Sequence, residues 1–229
     1  MTPSRIRILM NGAAAVVAAG LLAACGSTGG ASSSTSPTPS GAAGVIQQMI
    51  TNLKQSQNTS YSVTYALSGS SAAAGSFTYE QDPPKYRLSL SSVSVIETGT
   101  TVYLCTGSSA GQICTVDTGT NPLTSIEKAF SASTVIPKLS SLQSEIAAKT
   151  AGVTITTSTA TFASQPSTCL SYVKGGVTSK YCATDAGILA YASDGTSTLT
   201  LTHFSSTVAA SDFALPQGAT LTSLPATIP

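Results

Sequence analysis

The chain has few of the side chains on which enzymes and nucleic-acid-binding proteins depend. Its 229 residues include no tryptophan, one histidine (His203) and only 8% charged residues, against about 25% in typical soluble domains. Histidine is the commonest general base and a common metal ligand. We therefore expect neither an enzyme nor a metal centre, and no cofactor is implied. A formal net charge of +1 provides no basic face, which argues against nucleic-acid binding.

The N-terminus has the layout of an export signal. Residues 1–7 carry two arginines and no acid, and an alanine-rich run over residues 8–21 follows; it is too short and too weakly apolar for a membrane-spanning helix. It ends in Leu22-Ala23-Ala24-Cys25, which resembles the lipobox of bacterial lipoproteins. The resemblance implies diacylglyceryl transfer to the Cys25 thiol and cleavage before Cys25. The alternative is a secretory signal with an incidental cysteine.

These features predict a protein anchored through lipid to the extracytoplasmic face of the cell membrane, where a second acyl chain on Cys25 makes anchoring durable. Loss of the two signal arginines takes the formal charge from +1 to −1. Residues 26–44 consist mostly of Gly, Ser, Thr and Pro, which cannot bury a core. The predicted organisation is a signal peptide (1–24), a lipidated cysteine with a flexible tether (25–44) and one domain (45–229).

Hydrophobic periodicity in the domain indicates helices and strands in alternating groups. Apolar residues at helical spacing predict a helix over residues 45–55 and another helical region over 125–149, which Pro137 should kink or split. Alternating apolar and polar residues predict the strands, which cover 61–67, 77–79, 86–91, 93–97, 101–105, 152–162, 168–174, 179–184, 188–193 and 197–204. Asp194-Gly195 predicts a type I′ hairpin between the last two. The pattern indicates an α+β fold, an antiparallel sheet with helices on one face.

Besides Cys25, the chain has four cysteines, Cys105, Cys114, Cys169 and Cys182. No Cys-x-x-Cys motif occurs, so a zinc site or a redox site is disfavoured. Four cysteines permit three pairings. Cys105–Cys114 and Cys169–Cys182 close the shortest loops between adjacent predicted strands, and we expect structural disulfides there.

One motif suggests an enzyme. Residues 107–111 match G-x-S-x-G, in which Ser109 would be the nucleophile of an α/β-hydrolase, with His203 downstream and Asp117 or Asp185 as a third member. That nucleophile requires a strand before it and a helix after it, whereas a strand-like segment, 113–116, follows here. A hairpin loop is the better interpretation. In its own strand, His203 shares the parity of Leu199 and Leu201, which predicts a partly buried histidine.

Four segments together resemble the LolA/LppX-type superfamily of bacterial envelope lipoproteins. They are Tyr61–Tyr65 (YSVTY), Pro83–Leu90 (PPKYRLSL), Cys182–Tyr191 (CATDAGILAY) and Ser211–Pro216 (SDFALP). The resemblance covers most of residues 45–225 in layout. It implies a strongly curved antiparallel sheet, a half-barrel, wrapped around helices and enclosing an apolar cavity. It also implies carriage of lipids or lipoproteins between envelope layers.

The apolar face of the first three strands is the candidate lining of such a cavity; its members are Val63, Tyr65, Leu67, Phe77, Tyr79, Leu88 and Leu90. The same residues would suit simple packing against helices, and periodicity does not separate the two. The leading hypothesis is a membrane-anchored lipoprotein that binds or transfers a lipid or another apolar ligand. The alternative is a cell-surface interaction or sensory module without a ligand cavity.

Overall fold

The computed structural model describes residues 41–69, 75–107, 111–117, 123 and 131–222. The predicted signal peptide, Cys25, most of the tether and Ser109 therefore lie outside the described residues. The helices are α1 (Gly41–Ser56) and α2 (Ala132–Ala147). The strands are β1 (Tyr61–Gly69), β2 (Gly75–Asp82), β3 (Lys85–Leu90), β4 (Val93–Glu97), β5 (Val102–Thr106), β6 (Ile113–Val116), β7 (Thr154–Phe162), β8 (Gln165–Lys174), β9 (Val177–Thr184), β10 (Leu189–Ser193), β11 (Ser197–Ser205) and β12 (Thr220–Thr222).

All twelve of these strands belong to one open sheet, in the order β12-β6-β5-β4-β3-β2-β1-β11-β10-β9-β8-β7. Every neighbouring pair is antiparallel except β12 and β6, which run parallel. Sequential hairpins build each half, and the pairing of β1 with β11 joins the halves. The prediction of a mostly antiparallel sheet combined with helices is confirmed.

Helix α1 begins at Gly41, four residues before the predicted start, so the end of the predicted tether is helical. Ala42 and Ala43 favour this extension because alanine is the best helix former. The apolar stripe predicted from the sequence is buried, and Ile46, Met49 and Leu53 are each at most 2% exposed. Helix α1 contacts α2 and the strands β7, β8 and β9.

Helix α2 runs through Pro137 without a break between Ala132 and Ala147, so the expected split into two pieces does not occur. Pro137 lies on the exposed side of the helix, opposite the buried Val135 and Leu139. Proline removes the hydrogen bond to the carbonyl four residues earlier, and here that residue is the exposed Ser133. Water can therefore solvate the carbonyl that the proline leaves without a partner.

One face of the sheet, called the inner face, carries the main core. It is defined by Val63, Tyr65 and Leu67 of β1, and cross-strand pairing places Phe77 and Leu88 on the same face. These side chains pack in one cluster with the buried faces of α1 and α2. The alternation predicted from the sequence thus identified the buried side of the first three strands.

The other face, called the outer face, is covered in part by the C-terminal segment 206–222. This segment includes a 3-10 helix (Ala210–Phe213) that packs on β3, and it ends as β12 beside β6. Leu215 and Ala219 pack against a small second core of Ile96, Cys105 and Cys114. The expected disulfide Cys105–Cys114 lies there and joins directly opposed residues of β5 and β6.

The second expected disulfide, Cys169–Cys182, joins directly opposed residues of β8 and β9 and is fully buried. Close by, the rings of Phe162 and Tyr191 stack with centroids 5.6 Å apart. Their strands, β7 and β10, are separated in the sheet by β8 and β9, and β7 also contacts β11. The sheet is therefore strongly curved at this end.

Two local predictions are corrected. A β-bulge opposite Thr64/Tyr65 shifts the register of β11, so His203 pairs with Thr64 on the outer face and is exposed; the inference from parity that it is partly buried is wrong. The β10–β11 hairpin forms as predicted. Its turn has positive φ at Gly195 and not at a second central residue, so it is not the expected type I′ turn.

Candidate functional site

A cavity of about 170 Å³ lies between the end of α1, the inner face of the sheet and the start of α2. Helix α1 contributes Leu53, Ser56 and Gln57, and the sheet contributes aromatic and aliphatic side chains. The lining residues are Leu53, Ser56, Gln57, Tyr61, Tyr65, Phe77, Tyr79, Gln81, Leu88, Ser131, Ala132, Ser133, Gly187, Leu189 and Leu199. Gln57 and Ser133 are exposed and mark the opening.

Of the seven candidate cavity residues, the structure places four, Tyr65, Phe77, Tyr79 and Leu88, in the lining. Val63 and Leu67 share that face but are buried in the main core, and Leu90 is half-buried against it. Val63, Leu67 and Leu90 do not line the cavity, although they lie on the same face of the strands as the four residues that do. Period-2 alternation identifies a face of the sheet, but it does not say which part of the face a helix covers.

Gln81 organises the polar side of the cavity. Its Nε2 donates hydrogen bonds to the carbonyl oxygens of Ser56 and Thr59, both at 2.6 Å, and its Oε1 accepts one from the Tyr79 hydroxyl at 3.1 Å. The Ser56 hydroxyl donates to the Leu53 carbonyl at 2.9 Å. The side chain of Gln81 thus binds the last carbonyl of α1 and a carbonyl of the turn that follows the helix.

On the opposite wall of the cavity, Tyr65 contacts both a neighbouring ring and the backbone of β10. Its hydroxyl donates to the Leu189 carbonyl at 2.8 Å, across 124 positions of the chain. Its ring packs against Phe77 with centroids 5.3 Å apart, and Tyr61 and Tyr79 form a second pair at 6.1 Å. Aromatic pairs at these separations are favourable beyond the area that they bury. The aromatic wall is held by packing and by one backbone hydrogen bond.

The described part of the cavity lining is electrically neutral. None of the described residues in its lining carries a charge. Burial raises the pKa of Tyr61 above its usual range, and the nearby Tyr65 raises it further. The pKa of Tyr65 is likewise raised by burial and then by Tyr79. Both tyrosines therefore stay protonated at physiological pH, and the site presents hydroxyl groups rather than phenolates.

The loop between β9 and β10 closes one side of the cavity at Gly187. This residue has a φ of +77° and lies against the backbone of Asn52, so that a β-carbon would overlap the Asn52 carbonyl. The loop is held by hydrogen bonds from the Gly187 amide to the Thr184 carbonyl and from the Ile188 amide to the Thr184 hydroxyl. Gly187 was not predicted as a site residue, because nothing local reveals that α1 passes beside it.

The residues of the hydrolase motif do not form a site among the residues that the structure describes. Ser109 lies outside those residues, and His203 is exposed on the outer face of β11. Asp185 lies in the turn after β9. In the same described portion, no three His, Cys, Asp or Glu side chains approach closely enough to hold a metal ion. Neither described helix has the length and hydropathy needed to cross a bilayer.

No protein-family model matches the chain, and no curated protein matches it. Its structure is similar to that of an uncharacterized conserved protein from Thermus thermophilus, at 10% identity and a TM-score of 0.43, over 78% of this chain and 98% of that one. It is similar to MucB at 10% identity and a TM-score of 0.47, over 74% of this chain and 61% of MucB. The MucA/MucB complex of Pseudomonas aeruginosa gives 11% identity and a TM-score of 0.36, over 70% of this chain and 56% of that one. No ligand or activity follows from likeness at this level.

Proposed function

We propose that this protein is a binding protein whose domain holds an apolar group in the cavity between α1 and the inner face of the sheet. The observation that carries the proposal is the cavity itself, a space of about 170 Å³ walled by Tyr61, Tyr65, Phe77, Tyr79 and aliphatic side chains. The aromatic and aliphatic side chains of this wall leave apolar surface without a packing partner in a space that opens to solvent. A ligand that covers this surface removes it from water, which is favourable.

The volume limits what can be bound. Sites for drug-sized molecules usually enclose about 300–1,000 Å³, whereas an engineered cavity of about 150 Å³ in another protein accepts benzene. A space of about 170 Å³ therefore suits one ring or the end of one acyl chain. The remainder of a larger lipid would leave through the opening at Gln57 and Ser133.

We further propose that the domain is tethered to the extracytoplasmic face of the cell membrane by acylated Cys25. This rests on the lipobox-like Leu22-Ala23-Ala24-Cys25 and on the polar segment that separates it from α1. A membrane-tethered carrier of this kind is what the resemblance to the LolA/LppX-type superfamily implies. The same proposal holds that the protein is not an enzyme; labelling of Ser109 by a fluorophosphonate probe would contradict it.

Extraction tests the binding proposal directly. The full chain carrying Cys25→Ser, which cannot be acylated, should yield an apolar ligand at about one molecule per chain on organic extraction and mass spectrometry. Leu88 lines the cavity and Leu90 lies two residues further along the same face outside the lining. Leu88→Phe should therefore reduce the ligand yield, and Leu90→Phe should not. A chain that yields no ligand and takes up no added toluene would refute the proposal.

A second candidate function, an interaction module, is favoured by one observation. At the β6–β12 edge, the apolar side chains of Val116 and Leu221 share the outer face and are 48% and 60% exposed, and Ile113 is 48% exposed on the opposite face. Exposed apolar residues grouped at a sheet edge are typical of contact surfaces. Crosslinking in intact cells from a photoreactive residue at position 221 distinguishes the candidates, because a carrier works without a fixed partner whereas an interaction module gives one discrete adduct.

A further inference from the structure

Most hydrogen-bond donors inside the cavity are already used in hydrogen bonds to acceptors of the protein. The Nε2 amide group of Gln81 donates two hydrogen bonds to backbone carbonyls. The hydroxyls of Ser56 and Tyr65 donate to the carbonyls of Leu53 and Leu189. A hydroxyl oxygen and an amide oxygen each carry two lone pairs. What Ser56, Tyr65 and Gln81 retain toward a ligand is therefore the capacity to accept a hydrogen bond.

Tyr61 differs from these residues. Its hydroxyl has no hydrogen-bond partner within the part of the chain that the structure describes, and its side chain is half-buried in the cavity wall. Its ring is held against Tyr79. A phenolic hydroxyl both donates and accepts hydrogen bonds. The Tyr61 hydroxyl can therefore donate a hydrogen bond to an oxygen atom of a ligand.

Charged head groups suit this site poorly. An anion is held by a cation or by several converging donors, and the described lining has no cation: it offers the Tyr61 hydroxyl inside, and the Gln57 amide and serine hydroxyls at the solvent-exposed opening. An ammonium group requires a carboxylate or a full set of acceptors, and no acid lines the cavity among the described residues. Burial of an ion without such partners costs several kcal/mol. The polar group that is held inside the cavity must therefore be uncharged.

We propose that the cavity selects an uncharged apolar molecule that carries a hydroxyl group, an alcohol or a phenol. A hydroxyl is the smallest uncharged group that uses both remaining capacities: it accepts a hydrogen bond from the Tyr61 hydroxyl and donates one to an oxygen of Tyr65, Gln81 or Ser56. The apolar body packs against Phe77 and the surrounding aromatic wall. This inference rests on the proposed function, since it specifies the ligand of the same cavity.

Four probes of similar size test the inference: p-cresol, toluene, benzoate and benzylamine, the last two charged at neutral pH. Dissociation constants are measured by NMR titration of the full chain carrying Cys25→Ser. We expect p-cresol to bind about tenfold more tightly than toluene, the worth of about one net hydrogen bond. Benzoate and benzylammonium should bind at least tenfold more weakly than p-cresol.

The outcomes separate the inference from the proposed function. If toluene binds and either matches p-cresol or is exceeded by a charged probe, the cavity binds apolar groups but the selection of a hydroxyl is wrong. If none of the four probes binds, the proposed function fails, and the inference fails with it.

Tyr61→Phe supplies a matched variant, because it removes the hydroxyl and leaves the ring, and no protein hydrogen bond among the described residues is lost. It should weaken p-cresol binding about five- to tenfold, to near the toluene value, and leave toluene binding unchanged. Tyr103→Phe is the control, since Tyr103 packs with the small core on the outer face; it should change neither constant. An equal loss for p-cresol and toluene in Tyr61→Phe would overturn the role given to the hydroxyl.

Discussion

Gly187 lies directly against the carbonyl of Asn52, so close that a β-carbon at position 187 would overlap the carbonyl oxygen and carbon. The contact joins the β9–β10 loop to the last turns of α1, and both segments line the cavity. Neither backbone segment can move away easily. The Asn52 carbonyl belongs to a helix, and Gly187 is held by its hydrogen bond to the Thr184 carbonyl. The closure of the cavity therefore depends on the absence of a side chain at one position.

Gly187→Ala should destabilise the protein by about 2–4 kcal/mol, because strain at positive φ adds to a clash with backbone. Urea unfolding measures the loss. Gly176→Ala is the matched control: Gly176 has a φ of +79° and nothing within 4 Å of a β-carbon, so it should lose only about 1 kcal/mol. Equal losses in the two variants would show that α1 does not press on Gly187.

Gln81→Leu should cost about 1–3 kcal/mol of unfolding free energy, the cost of leaving a buried polar group without its partner. The substitution keeps the volume approximately but removes the amide that binds the Ser56 and Thr59 carbonyls. The Ser56 carbonyl keeps the Thr59 amide and hydroxyl as donors, so the cost falls mainly on the Thr59 carbonyl. Gln143→Leu is the control, because among the described residues the Gln143 side chain bonds to Gln47 at an exposed position. Its loss should stay within about 0.5 kcal/mol, and a similar loss in both variants would contradict the role of Gln81.

Each disulfide should contribute about 3 kcal/mol to stability, since the bonds close loops of 9 and 13 residues in separation. Replacing the pair Cys105 and Cys114 by alanine, or the pair Cys169 and Cys182, should show this in urea unfolding. Non-reduced peptide mapping checks the pairing itself. Free thiols at all four positions, or a cross-linked Cys105–Cys169 peptide, would disprove the connectivity.

The sequence revealed the strands better than the site. Strand β4 begins and ends where alternation and its flanking turns predict, because its pattern is local. Strand β12 went unpredicted, since Thr220–Thr222 has only three residues and pairs parallel to β6 after segment 206–222 has crossed the sheet. The bulge that turns His203 outward also depends on the partner strand β1. Features fixed by a neighbour in space leave no periodic signal.

The candidate site divides in the same way. Its aromatic wall was predictable, because Tyr65, Phe77 and Tyr79 alternate along strands. Its polar side was not predictable, because the hydrogen bonds of Gln81 depend on the end of α1 lying beside β2 in the folded structure. Gly187 carries a signal in principle, as a glycine in a short inter-strand loop. Its meaning depends on Asn52, which is 135 positions earlier in the chain.

Glu80→Gln should alter the pH dependence of stability. Burial raises the pKa of Glu80 above its ordinary value, Asp212 raises it further, and Arg87 and the Ser62 hydroxyl act in the opposite direction. The folded state thus favours protonated Glu80, so its contribution is present below the unfolded pKa and is lost as pH rises through the folded pKa.

The glutamine variant should therefore be more stable than the native chain at pH 7, by about 0.5 kcal/mol or less because solvent screens a partly exposed group. The two should converge near pH 3. Urea unfolding at both pH values measures the difference. A native chain that is more stable than the variant at pH 7 would mean that attraction to Arg87 outweighs burial.

Cys25→Ser should abolish acylation and release the protein from the membrane fraction. The thioether to diacylglycerol forms at the cysteine sulfur, and a serine hydroxyl is a much weaker nucleophile at the same position. Incorporation of labelled palmitate and cell fractionation measure the two effects. The double variant Cys105→Ala/Cys114→Ala is the control, because it removes a disulfide and leaves Cys25 intact; it should retain the label. Membrane retention of the Cys25→Ser protein would instead require a second attachment. A native chain without label would favour an ordinary secretory signal, and the ligand would then be carried by a freely diffusing protein.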